Sequence, residues 1–325
     1  MLLRMVPENT KINFMKPRFI AMAISGVLIL LSYVLFFTEG LNYGIDFKGG
    51  LAIEIGMDNK DQAVPLAKVR ESLTKLNLGD VMIKEYGRKS EAMIKIERQP
   101  GDEKAQTAAM KKVRAALSEA IPGVNFRQEN IVGPVVSGEL KVDGTIAVTA
   151  AVLAVLVYIW FRFEWQFGLG AVVALAHDVS LTIGFFVVTG LEFNLSIIAA
   201  LLTIVGYSLN DTVVVYDRIR ENIRKYRKMP LEELINLSLN QTLSRTTMTS
   251  FTTLLALLAL LFFGGEVIRG FTAAMTWGIV VGTYSSIFIA SPMLPMLNVR
   301  REAMLQDEKK DPTVDNSRPT PFDMM

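Results

Sequence analysis

"FIAMAISGVLILLSYVLFFTEGLNYGIDFKGGLAIEIGM", residues 19 to 57, changes character in its middle. From Phe19 to Phe37 it is apolar and uncharged, and roughly 20 such residues in a helix cross about 30 Å of hydrocarbon. A signal peptide has a shorter apolar core and a small-residue cleavage site, so this run reads as a retained anchor. The stretch ends in "LAIEIGM", where Leu51, Ile53 and Ile55 alternate as in a half-buried strand. A membrane span leading straight into a folded domain is the architecture it implies.

The join, "GIDFKGG" at 44 to 50, has glycines that invite comparison with a phosphate-binding loop. Such a loop needs lysine and a hydroxyl directly after its second glycine, to reach the outer phosphates and magnesium. Gly44 and Gly49 have the right separation, but Gly50 and Leu51 stand where those groups must be. ATP use is therefore not expected. Gly44, Gly49 and Gly50 can instead turn the backbone from helix into sheet without a side-chain penalty. For Asp46 and Lys48 two readings stay open, a local turn or a contact to the other spans or to a partner.

The 325 residues are 51% hydrophobic and 20% charged, with positive mean hydropathy. That mixture indicates several spans plus one water-exposed domain. Cysteine is absent, which excludes disulfides and thiolate metal sites, and a single histidine, His177, argues against a protein-only transition-metal site. Spans are expected at about 19 to 38, 145 to 161, 168 to 189, 193 to 215, 243 to 263 and 270 to 297. Lys and Arg in short loops mark the cytoplasmic side. Arg4, Lys11, Lys16 and Arg18 precede the first span, Arg162 follows the second, and "RIRENIRKYRK" follows the fourth. Arg300 and Arg301 follow the sixth, whereas the opposite short loops carry only Arg269. Both termini are expected inside and residues 39 to 144 outside.

Within 39 to 144 the periodicities follow the order β-α-β-β-α-β of a ferredoxin-like domain. After "LAIEIGM" come helical spacing at Leu66, Val69, Leu73 and Leu76 and strands "VMIKEYG" and "AMIKIE", separated by a turn at Gly87 to Ser90. Met110, Val113, Leu117 and Ala120 mark a second helix, and "VNFRQ" a last strand. This domain contains no histidine and no catalytic constellation, so enzymatic activity is not expected of it.

Ionisable residues inside spans carry a cost of about 2.5 to 3.5 kcal/mol and point to function. "LAHDVS" places His177 and Asp178 in the third span, and "GYSLNDTVVVYDRIREN" places Asn210 and Asp211 in the fourth. Arg245 opens the fifth, at a depth comparable with Asp211. A carboxylate of conditional charge beside a permanent cation is what a proton relay requires. The alternatives are that Arg245 snorkels to the interface, that Asp211 links helices, and that His177 makes a structural hydrogen bond. Asp217 reads as a solvated helix end. The basic run reads as a topology signal and lipid contact, ahead of nucleic acid. "LEELINLSLNQTL" reads as an amphipathic stretch along the inner surface. Glycines in the spans, among them Gly26, Gly206, Gly278 and Gly282, favour a packed bundle with partners.

"GIDFKGG", "VGP" at 132 to 134, "FRFEW" at 161 to 165, "AHDV" at 176 to 179, "GYSLNDTVVVYDRIREN" and "SRTTMTSFTTL" together resemble the SecD/SecF family of bacterial protein-translocation subunits, on its SecF side. That family is related to the resistance-nodulation-division transporters. The resemblance implies a polytopic α-helical membrane protein of six transmembrane helices, with a periplasmic α+β ferredoxin-like domain inserted between helices 1 and 2. It implies segments at 1–18 (cytoplasmic), 19–38 (helix 1), 39–144 (periplasmic domain), 145–299 (helices 2–6, with a cytoplasmic loop at 216–242) and 300–325 (a disordered cytoplasmic tail). It implies a bacterial inner-membrane location, pairing with SecD, and contact with SecYEG, YajC, YidC and unfolded secretory polypeptide. Nucleic acid and cofactors are not expected, and protons are the coupling ion. The resemblance implies Asp211 and Arg245 as site residues; the residues themselves add Asn210, Asp178 and His177 to the candidate relay and Gly44, Asp46, Gly49 and Gly50 as a candidate hinge. A small-molecule or lipid exporter of the same superfamily is the alternative, followed by an intramembrane aspartyl protease using Asp178 and Asp211.

Overall fold

A computed structural model describes residues 10–297 and 299. The expected tail at 300–325 lies outside the described residues, as do residues 1–9 of the expected segment 1–18. Among the described residues, six helical segments are long and apolar enough to cross a membrane. They are α1 (Arg18–Thr38), α5 (Pro134–Arg162), α6 (Trp165–Thr189), α7 (Leu195–Lys225), α8 (Leu231–Phe263) and a final broken segment, Glu266–Met296. Between α1 and α5 lie α2 (Ile45–Lys48), β1 (Gly50–Met57), α3 (Leu66–Thr74), β2 (Val81–Tyr86), β3 (Arg88–Glu97), α4 (Glu103–Ala120) and β4 (Val124–Val132).

The inserted domain is the expected β-α-β-β-α-β unit. Its sheet is ordered β2-β3-β1-β4 and antiparallel throughout. Leu51, Ile53 and Ile55 face Ala92, Ile94 and Ile96 from β3 and the apolar sides of α3 and α4, including Val69, Leu73, Val113 and Leu117. The period-2 alternation of β1 puts Leu51, Ile53 and Ile55 on that one face, with Ala52 and Glu54 on the other. The β2–β3 turn is tighter than expected. Gly87 alone separates the strands, and Arg88 to Ser90 belong to β3, because glycine reaches φ +76° there without a Cβ clash.

The sheet's other face looks toward the ends of the spans. Lys95 on β3 pairs with Glu192, in the loop between α6 and α7. Burial raises the pKa of the Tyr86 phenol, and the carboxylates of Glu54, Glu266 and Glu192 raise it further. Glu192 lies in the loop between α6 and α7 and Glu266 begins the last spanning segment, so the domain sits against that end of the bundle.

The helices run further than the apolar pattern predicts. α5 starts at Pro134, so the expected domain boundary at 144 falls inside a helix. Proline suits that first position, where its missing N–H loses no helical bond. The expected loop at 216–242 is also corrected: α7 stays helical to Lys225 and α8 begins at Leu231. "LEELINLSLNQTL" is accordingly the first part of one 33-residue helix, with Leu234, Ile235 and Leu239 packed beside Phe14, Met15, Tyr216 and Ile219. Hydropathy marks where lipid stops, and helices continue into water as long as their backbone bonds are met.

The last segment is α9 (Glu266–Ser285), a π turn (Ser286–Ala290) and α10 (Ser291–Met296). Pro292 has no N–H to give, and its ring displaces the carbonyl four residues back, so the helix widens. The Ser291 hydroxyl donates to the Ser286 carbonyl at 2.8 Å, and the Tyr216 hydroxyl of α7 donates to that of Ala290 at 3.0 Å.

Candidate functional site

α7 is the bundle's central helix, against α5, α6, α8 and α9. Close approach to α9 depends on glycine: a Cβ at Gly278 would lie 2.3 Å from Ile204, and one at Gly282 3.1 Å from Ser208. Asp178 of α6 is fully buried beside this seam. Its Oδ2 accepts from the Ser208 hydroxyl of α7 at 2.5 Å and the Ser285 hydroxyl of α9 at 2.9 Å. Its Oδ1 lies 2.9 Å from His177 Nδ1.

The hydrogens in this network follow from the acceptors. The Tyr284 hydroxyl donates to the Ala21 carbonyl at 3.0 Å, so it accepts from Ser25 Oγ at 3.1 Å. Ser25 has then used its hydrogen and accepts from His177 Nε2 at 3.1 Å, which makes Nε2–H the donor. Two bare lone pairs would repel between His177 Nδ1 and Asp178 Oδ1, so a proton lies there too. The cluster is net neutral with every hydrogen placed, and it joins α1, α6, α7 and α9. It makes no hydrogen bond to Asp211. His177 thus has the structural bond that was one of its two sequence readings.

Asp211 lies one turn beyond Ser208 on α7, about 4.5 Å further along the axis. It is 3% exposed, and its Oδ2 has no hydrogen-bond partner. Arg245, on α8, acts on it through its charge, yet no ion pair joins the two. Arg245 points outward, on an exposed stripe with Thr249 and Thr252. Asn210 is likewise exposed, with Thr203 and Gly206 on its side of α7. The Thr246 hydroxyl and Tyr207 hydroxyl are also buried without partners. Of the sequence-stated relay set, the structure therefore brings His177 and Asp178 together and leaves Asp211, Asn210 and Arg245 as a separate group.

Two polar ties had no reading in the sequence. Arg162 at the end of α5 grips both carboxylate oxygens of Asp217 at 2.7 and 2.9 Å, so Asp217 is more than a solvated helix end. Asn236 and Asn240 of α8 hold the chain at Ile12 to Met15 by side-chain hydrogen bonds. Neither could be found by spacing, because their partners lie far apart in sequence. No group of three or more metal-ligating side chains occurs among the described residues.

A multi-pass membrane protein of the transport class, with an inserted ferredoxin-like domain, is what this fold and its buried carboxylates define. Residues 112–300 match the family described as "Protein export membrane protein SecD/SecF, C-terminal", and 34–61 match the "SecD/SecF GG Motif". The chain belongs to the SecD/SecF family, on its SecF side, and is an accessory subunit of Sec protein export. It is 45% identical to the protein translocase subunit SecF of Rhodobacter capsulatus, over 96% of this chain and 95% of that one. It is 46% identical to the subunit of the same name from Rickettsia akari, over 92% and 96%. Crystal structures of SecDF include one from Thermus thermophilus, described as a translocon-associated membrane protein. That structure superposes with a TM-score of 0.77 at 39% identity over 92% of this chain. SecDF in a super-membrane-facing form gives 0.66 at 37% identity over 93%. This chain spans 40% of the length of those SecDF chains.

Proposed function

We propose that this subunit works with SecD to couple proton movement to polypeptide export, and that Asp211 is its titrating group. The observation that carries the reading is the buried Asp211 oxygen without a hydrogen-bond partner, within the field of Arg245. The carboxylate of Asp178 is saturated with donors, whereas that of Asp211 has capacity to take up and give back a proton. A change of charge there alters the attraction to Arg245 and biases two arrangements of α7 and α8, which is what a two-state coupling needs.

The stripe of Thr203, Gly206 and Asn210 on α7, with Arg245, Thr249 and Thr252 on α8, is exposed among the described residues. An arginine facing lipid is costly. SecD is the partner that covers this face in our reading. The basic loops support an arrangement with both termini inside and the inserted domain outside, where released polypeptide is met. SecYEG, YajC and YidC are the further partners of the assembly, and protons are the only coupling species required.

The test is gradient-stimulated export in membranes containing the whole assembly. Asp211→Asn is expected to abolish the stimulation while SecD still co-purifies. Full stimulation in that variant overturns the reading.

A further inference from the structure

The root of the inserted domain is bonded to the start of α7. Gly44 N–H donates to the Phe193 carbonyl at 2.9 Å, Phe193 N–H to the Asn42 carbonyl at 2.8 Å, and Asn42 Nδ2 to the Gly190 carbonyl at 3.0 Å. Tyr43 and Phe47 pack on the Phe193 ring with centroids 6.1 and 6.0 Å away. Space at Gly44 is narrow, since a Cβ would stand 3.2 Å from Asn194 Cβ.

One bond in this joint reaches α7 itself. Asn194 occupies the N-cap position of α7, but its side chain makes no cap, and its Oδ1 is buried without a partner. The Leu195 N–H instead donates to Asp46 Oδ2 at 2.8 Å, from 149 residues away in sequence. A carboxylate at a helix N-terminus meets both an orphan N–H and the positive end of the helix dipole. We propose that Asp46 is a positioning residue, fastening the helix that carries Asp211 to the root of the inserted domain so that displacement of α7 reaches that domain. This rests on the proton-coupling reading above. On the domain side, α2 runs into Gly49 and Gly50 at φ +75° and +132°, and a Cβ at Gly50 would lie 2.5 Å from the Ile96 carbonyl. The joint is therefore tight at both of its ends.

The experiment uses the subunit with SecD and SecYEG in vesicles, with two readouts: amide exchange at residues 195–198, and the increment in export produced by a proton gradient. Asp46→Ala is expected to accelerate exchange roughly ten-fold, the size of one lost N-cap, and to remove most of the increment. Asp46→Asn keeps an acceptor oxygen and is expected to retain both. Leu195→Pro removes the donor from the other side while suiting the first helical position, and is expected to behave as Asp46→Ala. That variant decides the matter if Asp46→Ala fails to accumulate. Unchanged exchange in Asp46→Ala overturns the proposal, as does faster exchange with the increment intact. Asp211→Asn in the same vesicles separates the two ideas: if it keeps the increment, proton coupling at Asp211 fails, and the exchange arm still reports on the tie.

Discussion

Asp178 and Asp211 are both buried carboxylates of the bundle, and their surroundings assign them opposite tasks. Asp178 is held by His177, Ser208 and Ser285. Removing one donor from a buried charge-accepting group costs about 1 to 3 kcal/mol. Ser208→Ala should therefore lower the thermal unfolding midpoint in detergent. Asp211→Asn should leave it nearly unmoved, since no hydrogen bond of its Oδ2 is lost. Asn194→Ala should cost less than the roughly 1 kcal/mol of a typical N-cap, because Asp46 holds that position; urea titration of the solubilised subunit measures it. The residue types of both sites were legible in the sequence, since an aspartate inside an apolar run stands out. Their partners were not: Ser208 and Ser285 lie 30 and 107 residues from Asp178, and a hydroxyl in a span looks the same whether it bonds its own helix or a neighbour.

Glycines in the elements behave according to the space around them. Gly50→Ala forces a side chain into φ +132° and against the Ile96 carbonyl, a strain of about 1 to 3 kcal/mol. Such a variant should show reduced abundance and faster proteolysis of the inserted domain. Gly206 meets nothing within 4 Å, so Gly206→Ala should leave the subunit's own stability within about 0.5 kcal/mol while lowering recovery of SecD in a pull-down. The elements themselves were largely readable. Alternation at Leu51, Ile53 and Ile55 and the apolar runs located strands and spans. Their ends were not, because α5 extends to Pro134 through polar sequence that packs against α2, and α8 back to Leu231 through polar sequence whose Asn236 and Asn240 bond to residues 12–15. The π turn also escaped notice, although Pro292 was its visible cause.

For the whole molecule, the absence of cysteine makes orientation directly measurable. A single cysteine at Lys111 should react with a membrane-impermeant reagent added outside intact cells, and one at Lys228 only after the membrane is opened. The reverse pattern would invert the topology. The contact of Lys95 with Glu192 still reaches solvent, its two side chains 27% and 28% exposed, so its energy is small, about 1 kcal/mol. Its value lies in reporting where the domain rests. Cysteines at both positions should be joined by a short bifunctional thiol-reactive crosslinker in the described arrangement, and the fraction crosslinked should change when a gradient is applied if the domain moves in the export cycle.

The outward Arg245 has one more consequence, which concerns the cell's accounting of subunits. A copy without a partner must hold a guanidinium and a row of threonines against lipid, an arrangement that distorts the bilayer around it and leaves the helix poorly seated. Such a copy is marked as surplus by its own surface. Produced alone, the subunit should have a shorter half-life in a pulse-chase than when SecD is supplied, and Arg245→Leu should lengthen the lifetime of the solitary chain. On the coupling proposed above, the same side chain would then also report whether SecD is in place.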